Sequence, residues 1–247
     1  MKLSEQEKAA HKAAFRSMRP AEKLEYIYTY YKWPILLGLM ALLTVATIVQ
    51  RQLTRKEPVI YLGFANVAVG EDLEEVLTVN FLRLEGNNAK RQEVYLYRDL
   101  YLSDDADVIN HEYAYASRMK VMGAIQARKL DGVLMNREAY DLFSAQGYLQ
   151  DLPELISASD PALYGKIAPY LTENTVTVSD NTLEWQLNEA DTHEVVTENV
   201  SNGIALAELP LFEPAGFEEP IYFGIIANSP RTATAVQYLR YLVEGEA

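Results

Sequence analysis

Cysteine is absent from all 247 residues. That excludes disulfides, thiolate metal sites and a cysteine nucleophile. It also excludes a lipid-modified N-terminal cysteine, so any membrane attachment must come from the polypeptide itself. Histidine is scarce. His11, His111 and His193 are the three present, and none has metal-ligand spacing around it. No glycine-rich phosphate loop and no nucleophile elbow occurs. Asp104, Asp105, Asp107 and Glu112 form an acidic cluster, but the glycine that a calcium loop needs at its turn is missing. Acids at a helix start, facing the dipole, account for these residues more simply. The expectation is a non-enzyme with no catalytic residues, no metal and no cofactor.

Positive charge is short as well. Lys and Arg number 22 against 35 Asp and Glu, a formal net charge of −13. Residues 1–32 hold seven Lys/Arg and four acids, a net of +3, which leaves −16 for the remainder. So acidic a remainder repels phosphate backbones, and nucleic acid is not an expected partner.

What is present begins with an apolar run. Trp33 to Val49 reads WPILLGLMALLTVATIV, 17 residues without a charge between Lys32 and Arg51. As a helix it spans ~25 Å, the short end of the transmembrane range. Tyr26, Ile27, Tyr28, Tyr30, Tyr31 and Trp33 suit the headgroup layer, and Lys32 can snorkel toward water. A 32-residue hydrophilic lead and no small-residue cleavage site argue against a signal peptide. The bilayer is therefore the first expected partner, through Trp33 to Val49.

Orientation follows from Lys/Arg counts. Arg16, Arg19, Lys23 and Lys32 precede the span, and Arg51, Arg55 and Lys56 follow it. The whole tail raises the comparison to seven against three. A single-pass cell-membrane protein is expected, with a cytoplasmic N-terminus and an extracellular C-terminal domain. Four regions result: a basic, aromatic tail (1–32), a transmembrane helix (33–50), a linker (51–57) and an α/β domain (58–247). In the tail, Ser4 and Glu7 have capping-box spacing.

Within 58–247, apolar runs alternate with helical patterns. Val59–Ala65, Glu93–Tyr101 and Gly132–Met135 read as strands, the first and third buried on both faces. Helices are expected over 72–84, 105–130 and 137–146, with Gly147 as a C-cap. Tyr115, Met119, Met122 and Ile125 make an apolar stripe on the second of these. Thr175–Val178 and Leu183–Leu187 alternate with period two around Ser179–Thr182, a hairpin signal, and His193–Val196 is a further strand candidate. Gly203–Leu206 and Ile221–Ala227 are again buried-type strands. Ser229 and Pro230 read as N-cap and N1 of a last helix whose stripe is Val236, Leu239, Leu242 and Val243. Strands alternating with helices predict a mixed, largely parallel sheet.

Three stretches carry a family resemblance: Ala127–Met135 with Gly147–Leu152, Gly203–Pro210, and Tyr222–Arg231 with Ala235–Leu242. Their order resembles the type 2 periplasmic-binding-protein fold of extracellular solute-binding proteins. That implies two lobes and a ligand between them. Tyr26–Leu37 also resembles short membrane-anchored proteins of unassigned function from Gram-positive bacteria. About 190 outer residues and a transmembrane anchor depart from the binding-protein pattern.

A ligand site in such a fold would use loops beyond the strand ends. That singles out Asn66, Arg98, Asn136 and Asn228, with Trp185 as an aromatic wall. The first functional expectation is a non-catalytic binding protein for a small molecule or peptide. The alternative is an anchored scaffold or accessory subunit whose outer domain binds another envelope protein. A polar interlobe cleft favours the former. A filled cleft with an exposed apolar patch elsewhere favours the latter.

Overall fold

A computed structural model describes residues 19–103, 111–188, 190 and 192–245. The chain divides into two units, Met1–Arg55 and Lys56–Ala247. Ser4, Glu7 and His11 of the tail lie outside the described residues.

In the first unit, Pro20 opens a single helix, α1 (Pro20–Thr54). Proline suits a first helical position because the missing N–H has no intrahelical partner there. The helix runs through the segment expected to be linker, to Thr54, and the next strand starts at Glu57. Nothing in Arg51–Lys56 breaks a helix, whereas Pro58 disfavours helical backbone at Glu57. Lys32–Gln50, 19 residues, is long and apolar enough to cross a membrane. Trp33, Leu37, Met40, Leu42 and Val45 are all exposed around its circumference. A helix apolar on every side needs an apolar surround. The two threonine hydroxyls turn inward instead: Thr44 donates to the Met40 carbonyl and Thr47 to that of Thr44, both at 2.8 Å.

The second unit is built on one six-stranded sheet. Its strands are β1 (Glu57–Ala65), β2 (Gln92–Leu100), β3 (Gly132–Met135), β4 (Leu171–Asp180), β5 (Val195–Ala205) and β6 (Tyr222–Ile225), in the order β2-β1-β3-β6-β5-β4. The pairs β1–β2 and β1–β3 are parallel; β3–β6, β5–β6 and β4–β5 are antiparallel. The sheet is mixed, as expected, but not largely parallel. After β3 the chain crosses to the far edge and returns through a hairpin, so β4 and β6 run opposite to β1–β3 while β5 runs with them. Helix–strand alternation does not encode that reversal.

Side chains alternate across the sheet with period two. Ile60, Leu62, Phe64, Leu134, Phe223 and Ile225 point to one face. They meet the composite helix α2 (Glu71–Leu84), α5 (Leu152–Ile156), α6 (Pro161–Ile167) and α8 (Thr232–Glu244). Ala65, Val133, Met135 and Tyr222 point to the other, against α3 (His111–Gln126) and α4 (Arg137–Ala145). This is a three-layer unit with a core on each face of the sheet.

α2 widens to a π-helix over Val76–Asn80. Two tyrosines of α8 use the carbonyls this opens. Tyr238 donates to Leu77 at 3.0 Å and Tyr241 to Val76 at 2.7 Å. Burial raises both hydroxyls, Tyr241 to about 12 and Tyr238 well above the ordinary value.

Three expectations change. α3 is described over His111–Gln126; Asp104, Asp105 and Asp107 lie outside the described residues. It buries Ser117, Val121, Ala124 and Ile125 and leaves Tyr115 and Met119 exposed. Apolar residues on all sides of α3 left the stripe undetermined by spacing. The strand partner of Thr175–Val178 is Val195–Asn199, not Leu183–Leu187. Residues Thr182–Gln186 form a short helix, α7, at the tip. Lastly, α8 begins at Thr232, two residues beyond Pro230. Ser229 is occupied in a buried network described below.

Candidate functional site

Each of the five residues predicted to bind ligand has an intramolecular partner. Asn66 sits in left-handed backbone, φ 56°. Its amide clamps one residue in both directions: Nδ2 donates to the Leu102 carbonyl at 2.6 Å, and Oδ1 accepts from the Leu102 N–H at 2.8 Å. Asn136 caps α4, accepting from the Ala139 N–H at 3.0 Å. Its own N–H donates to the Ala65 carbonyl at 3.3 Å, so Asn66 and Asn136 are neighbours beyond β1 and β3. Arg98 makes a two-pronged ion pair with Glu74, with Nε at 2.7 Å from Oε2. That hydrogen bond holds Glu74 below the usual carboxylate range.

Asn228 follows β6, which runs antiparallel to β3. It therefore lies at the opposite end of the sheet from Asn66 and Asn136, donating to the Ile125 carbonyl at 2.9 Å. Trp185 is on α7, half-exposed, its ring 5.0 Å from that of His193. The five residues do not converge. Among the described residues, all six strands of the second unit join in one sheet.

A cleft of about 260 Å³ does open between α3 and α4, lined by Leu102, Val121, Met122, Leu142, Phe143 and Tyr148 with Arg118 and Gln146. That is below the ~300–1,000 Å³ of ordinary small-molecule sites. Arg118 donates to the Ser103 carbonyl at 3.1 Å.

Two buried polar networks gave no signal in the sequence. The first centres on Asp131, fully buried at the start of β3. Its carboxylate accepts from the Tyr61 N–H at 2.8 Å, Ser229 Oγ at 2.6 Å and Arg231 Nε at 2.8 Å. Arg231 also donates to the Arg128 carbonyl at 2.7 Å and lies over the Tyr61 ring at 4.6 Å. One hundred residues separate acid from base, beyond the reach of any local pattern. The second network joins α4 to β4 and β5. Tyr140 Oη lies 2.7 Å from the Thr172 carbonyl and 2.8 Å from Asn202 Oδ1. Asn202 Nδ2 donates to Ser144 Oγ at 2.8 Å, and Ser144 donates to the Thr175 carbonyl at 2.9 Å. Burial pushes the Tyr140 hydroxyl well above its ordinary value.

This second network holds the base of an arm. β4 and β5 pair from Leu171↔Ile204 out to Asp180↔Val195, but β5 meets β6 only at Ile204 and Ala205. The remaining length runs past the sheet, ~30 Å from Ile204 to Val195 at about 3.4 Å per residue. Its tip exposes Val178, Leu183, Trp185, Leu187, Val195 and Val196. Among the described residues, no group of three or more His, Asp or Glu side chains can hold a metal ion.

No protein-family profile, curated protein or solved structure matches this chain.

Proposed function

We propose that this chain is a membrane-anchored scaffold or accessory subunit whose outer unit binds another envelope protein without chemistry. The observation that carries this reading is the apolar tip of the β4–β5 arm. Six large apolar side chains are exposed there, and exposed apolar surface of that kind marks protein contacts. The small-molecule alternative has less support. Four of its five candidate residues are engaged in caps, clamps and ion pairs, and the cleft between α3 and α4 is small.

Anchoring rests on α1, apolar around its whole circumference from Lys32 to Gln50. The Lys/Arg excess before this span favours a cytoplasmic N-terminus and an extracellular outer unit. Protease treatment of intact cells checks the orientation: a protected outer unit overturns it.

Docking is tested in cells with the full chain. A photo-crosslinking residue is placed at Leu183, at Leu187 or, as control, at Lys90, which is exposed far from the arm in sequence. A discrete adduct from both tip positions and none from Lys90 is expected. Absence of any tip adduct refutes the reading. A small-molecule panel supplies the contrary test. Ligand at 100 times its dissociation constant adds about 2.7 kcal/mol of stability, visible as a raised melting temperature. A reproducible shift with one chemical class restores the solute-binding reading.

A further inference from the structure

The arm is the most lopsided part of the chain in charge. Residues 171–203 contain seven acids (Glu173, Asp180, Glu184, Glu189, Asp191, Glu194 and Glu198) and no Lys or Arg. All 12 Lys/Arg of residues 57–247 lie elsewhere. Of the acids, Asp180, Glu184, Glu194 and Glu198 are exposed around the apolar tip. The tip residues are well out in solvent: Leu183 is 65%, Leu187 60%, Val178 58% and Trp185 45% exposed.

The tip is also pre-formed. Asn181 donates from Nδ2 to the Thr192 carbonyl at 2.8 Å and accepts the Glu194 N–H at 2.6 Å. Asp180 accepts from both the hydroxyl and the N–H of Thr182. These bonds hold the Asp180 carboxyl below its usual range, so it stays ionised. Thr182 Oγ1 is in turn 2.9 Å from His193 Nε2, and the His193 ring packs on Trp185. A rigid apolar tip loses little conformational entropy on docking.

We propose, resting on the protein-docking reading above, that the tip seats in an apolar pocket rimmed by Lys and Arg on its partner. Charge decides among the occupants. An anionic lipid surface is repelled by the acids. A second copy of the tip meets its own sign of charge. A basic rim turns the same acids into steering and register elements around an apolar centre.

The test uses the full chain with Trp33→Phe, which leaves Trp185 as its one tryptophan. Three helical peptides share a leucine face and carry Lys, Gln or Glu on the other. In lipid nanodiscs, the Lys peptide is expected to shift Trp185 emission to the blue. It should bind at least about tenfold more tightly than the Gln peptide, with salt removing the difference. Glu184→Gln with Glu194→Gln and Glu198→Gln should remove it too. Leu183→Gln with Leu187→Gln should abolish binding, which attraction to a merely acidic surface would not require. Equal binding of Lys and Gln peptides overturns the basic rim and leaves docking intact. Failure of the Lys peptide to bind overturns the basic rim, and the Leu183 crosslink then decides whether docking survives. Quenching of Trp185 by brominated lipid in the nanodisc places the tip in the bilayer and overturns both.

Discussion

Replacing Asp131 by alanine removes one fully buried carboxylate that holds three donors. Two of them, the Tyr61 N–H and Ser229 Oγ, lose their partner inside the protein. The third, Arg231, is 27% exposed in its side chain and can turn toward water. Breaking a buried pair by deleting one member costs about 3–5 kcal/mol, mostly from the groups left behind. Partial escape of Arg231 puts the expected loss near 3 kcal/mol. For a unit of this size that lowers the melting temperature by about 6–12 °C. Arg231→Met strands the carboxylate instead and should cost a similar amount. Asp131→Ala combined with Arg231→Met should lose about 1–3 kcal/mol less than the two single losses summed, because each single change already breaks the shared bond. Urea unfolding of residues 56–247, followed by far-ultraviolet circular dichroism, measures all of these. Additivity within about 0.5 kcal/mol, or a loss under 1 kcal/mol for Asp131→Ala, refutes the claim that the network is one coupled unit.

Three further outcomes are expected. Stability should fall as pH rises from about 10, the ordinary tyrosine value. The folded unit keeps protons on Tyr238 and Tyr241 that the unfolded chain releases, Tyr241 up to about 12. Tyr241→Phe should flatten that fall and cost about 1 kcal/mol at neutral pH through its lost bond to Val76, both read by urea titration. Gly203→Ala should destabilise by about 1–3 kcal/mol, because the new Cβ would lie 2.8 Å from the tethered Tyr140 ring; a neutral thermal melt would contradict that contact. Leu42→Arg, near the centre of the apolar span, should add about 2.5–3.5 kcal/mol to membrane insertion and lower the inserted fraction in a translocation assay.

How much of this was legible depended on the kind of signal. β1 and β3 fall within a residue or two of where the apolar runs place them, because strands buried on both faces leave little ambiguity. Gly147, in left-handed backbone just past α4, also follows local chemistry. The hairpin failed for a local reason. Leu183-Glu-Trp-Gln-Leu187 alternates with period two, but five residues also fit one helical turn, and the Asp180–Thr182 bonds start that turn. The candidate ligand residues have internal partners for another reason. Asparagine at a strand end serves backbone clamping and helix capping as readily as ligand binding. Asn66 and Asn136 each do so here. The sheet's strand directions and the Asp131–Arg231 pair depend on long-range contacts, which no window along the chain contains.

The arm's function depends on how its base is fixed. A two-stranded ribbon alone is marginally stable in water. This one is bound to α4 along one side by Tyr140, Ser144 and Asp141. Asn174 Nδ2 donates to Asp141 Oδ1 at 2.8 Å, and Arg137 pairs with the same oxygen at 2.9 Å. Tyr140 in turn stacks on Tyr222 of β6 at 4.8 Å, and Gly203 has no side chain to obstruct it. The polar network thus joins arm, helix and sheet in a water-poor setting, where each hydrogen bond discriminates strongly between registers. The β4–β5 register shifts at Thr172/Glu173 and Thr177/Ser179, irregularities of the kind that discourage edge-to-edge pairing. On the docking proposal, a ribbon clamped at its base and ordered at its tip presents that tip to a partner.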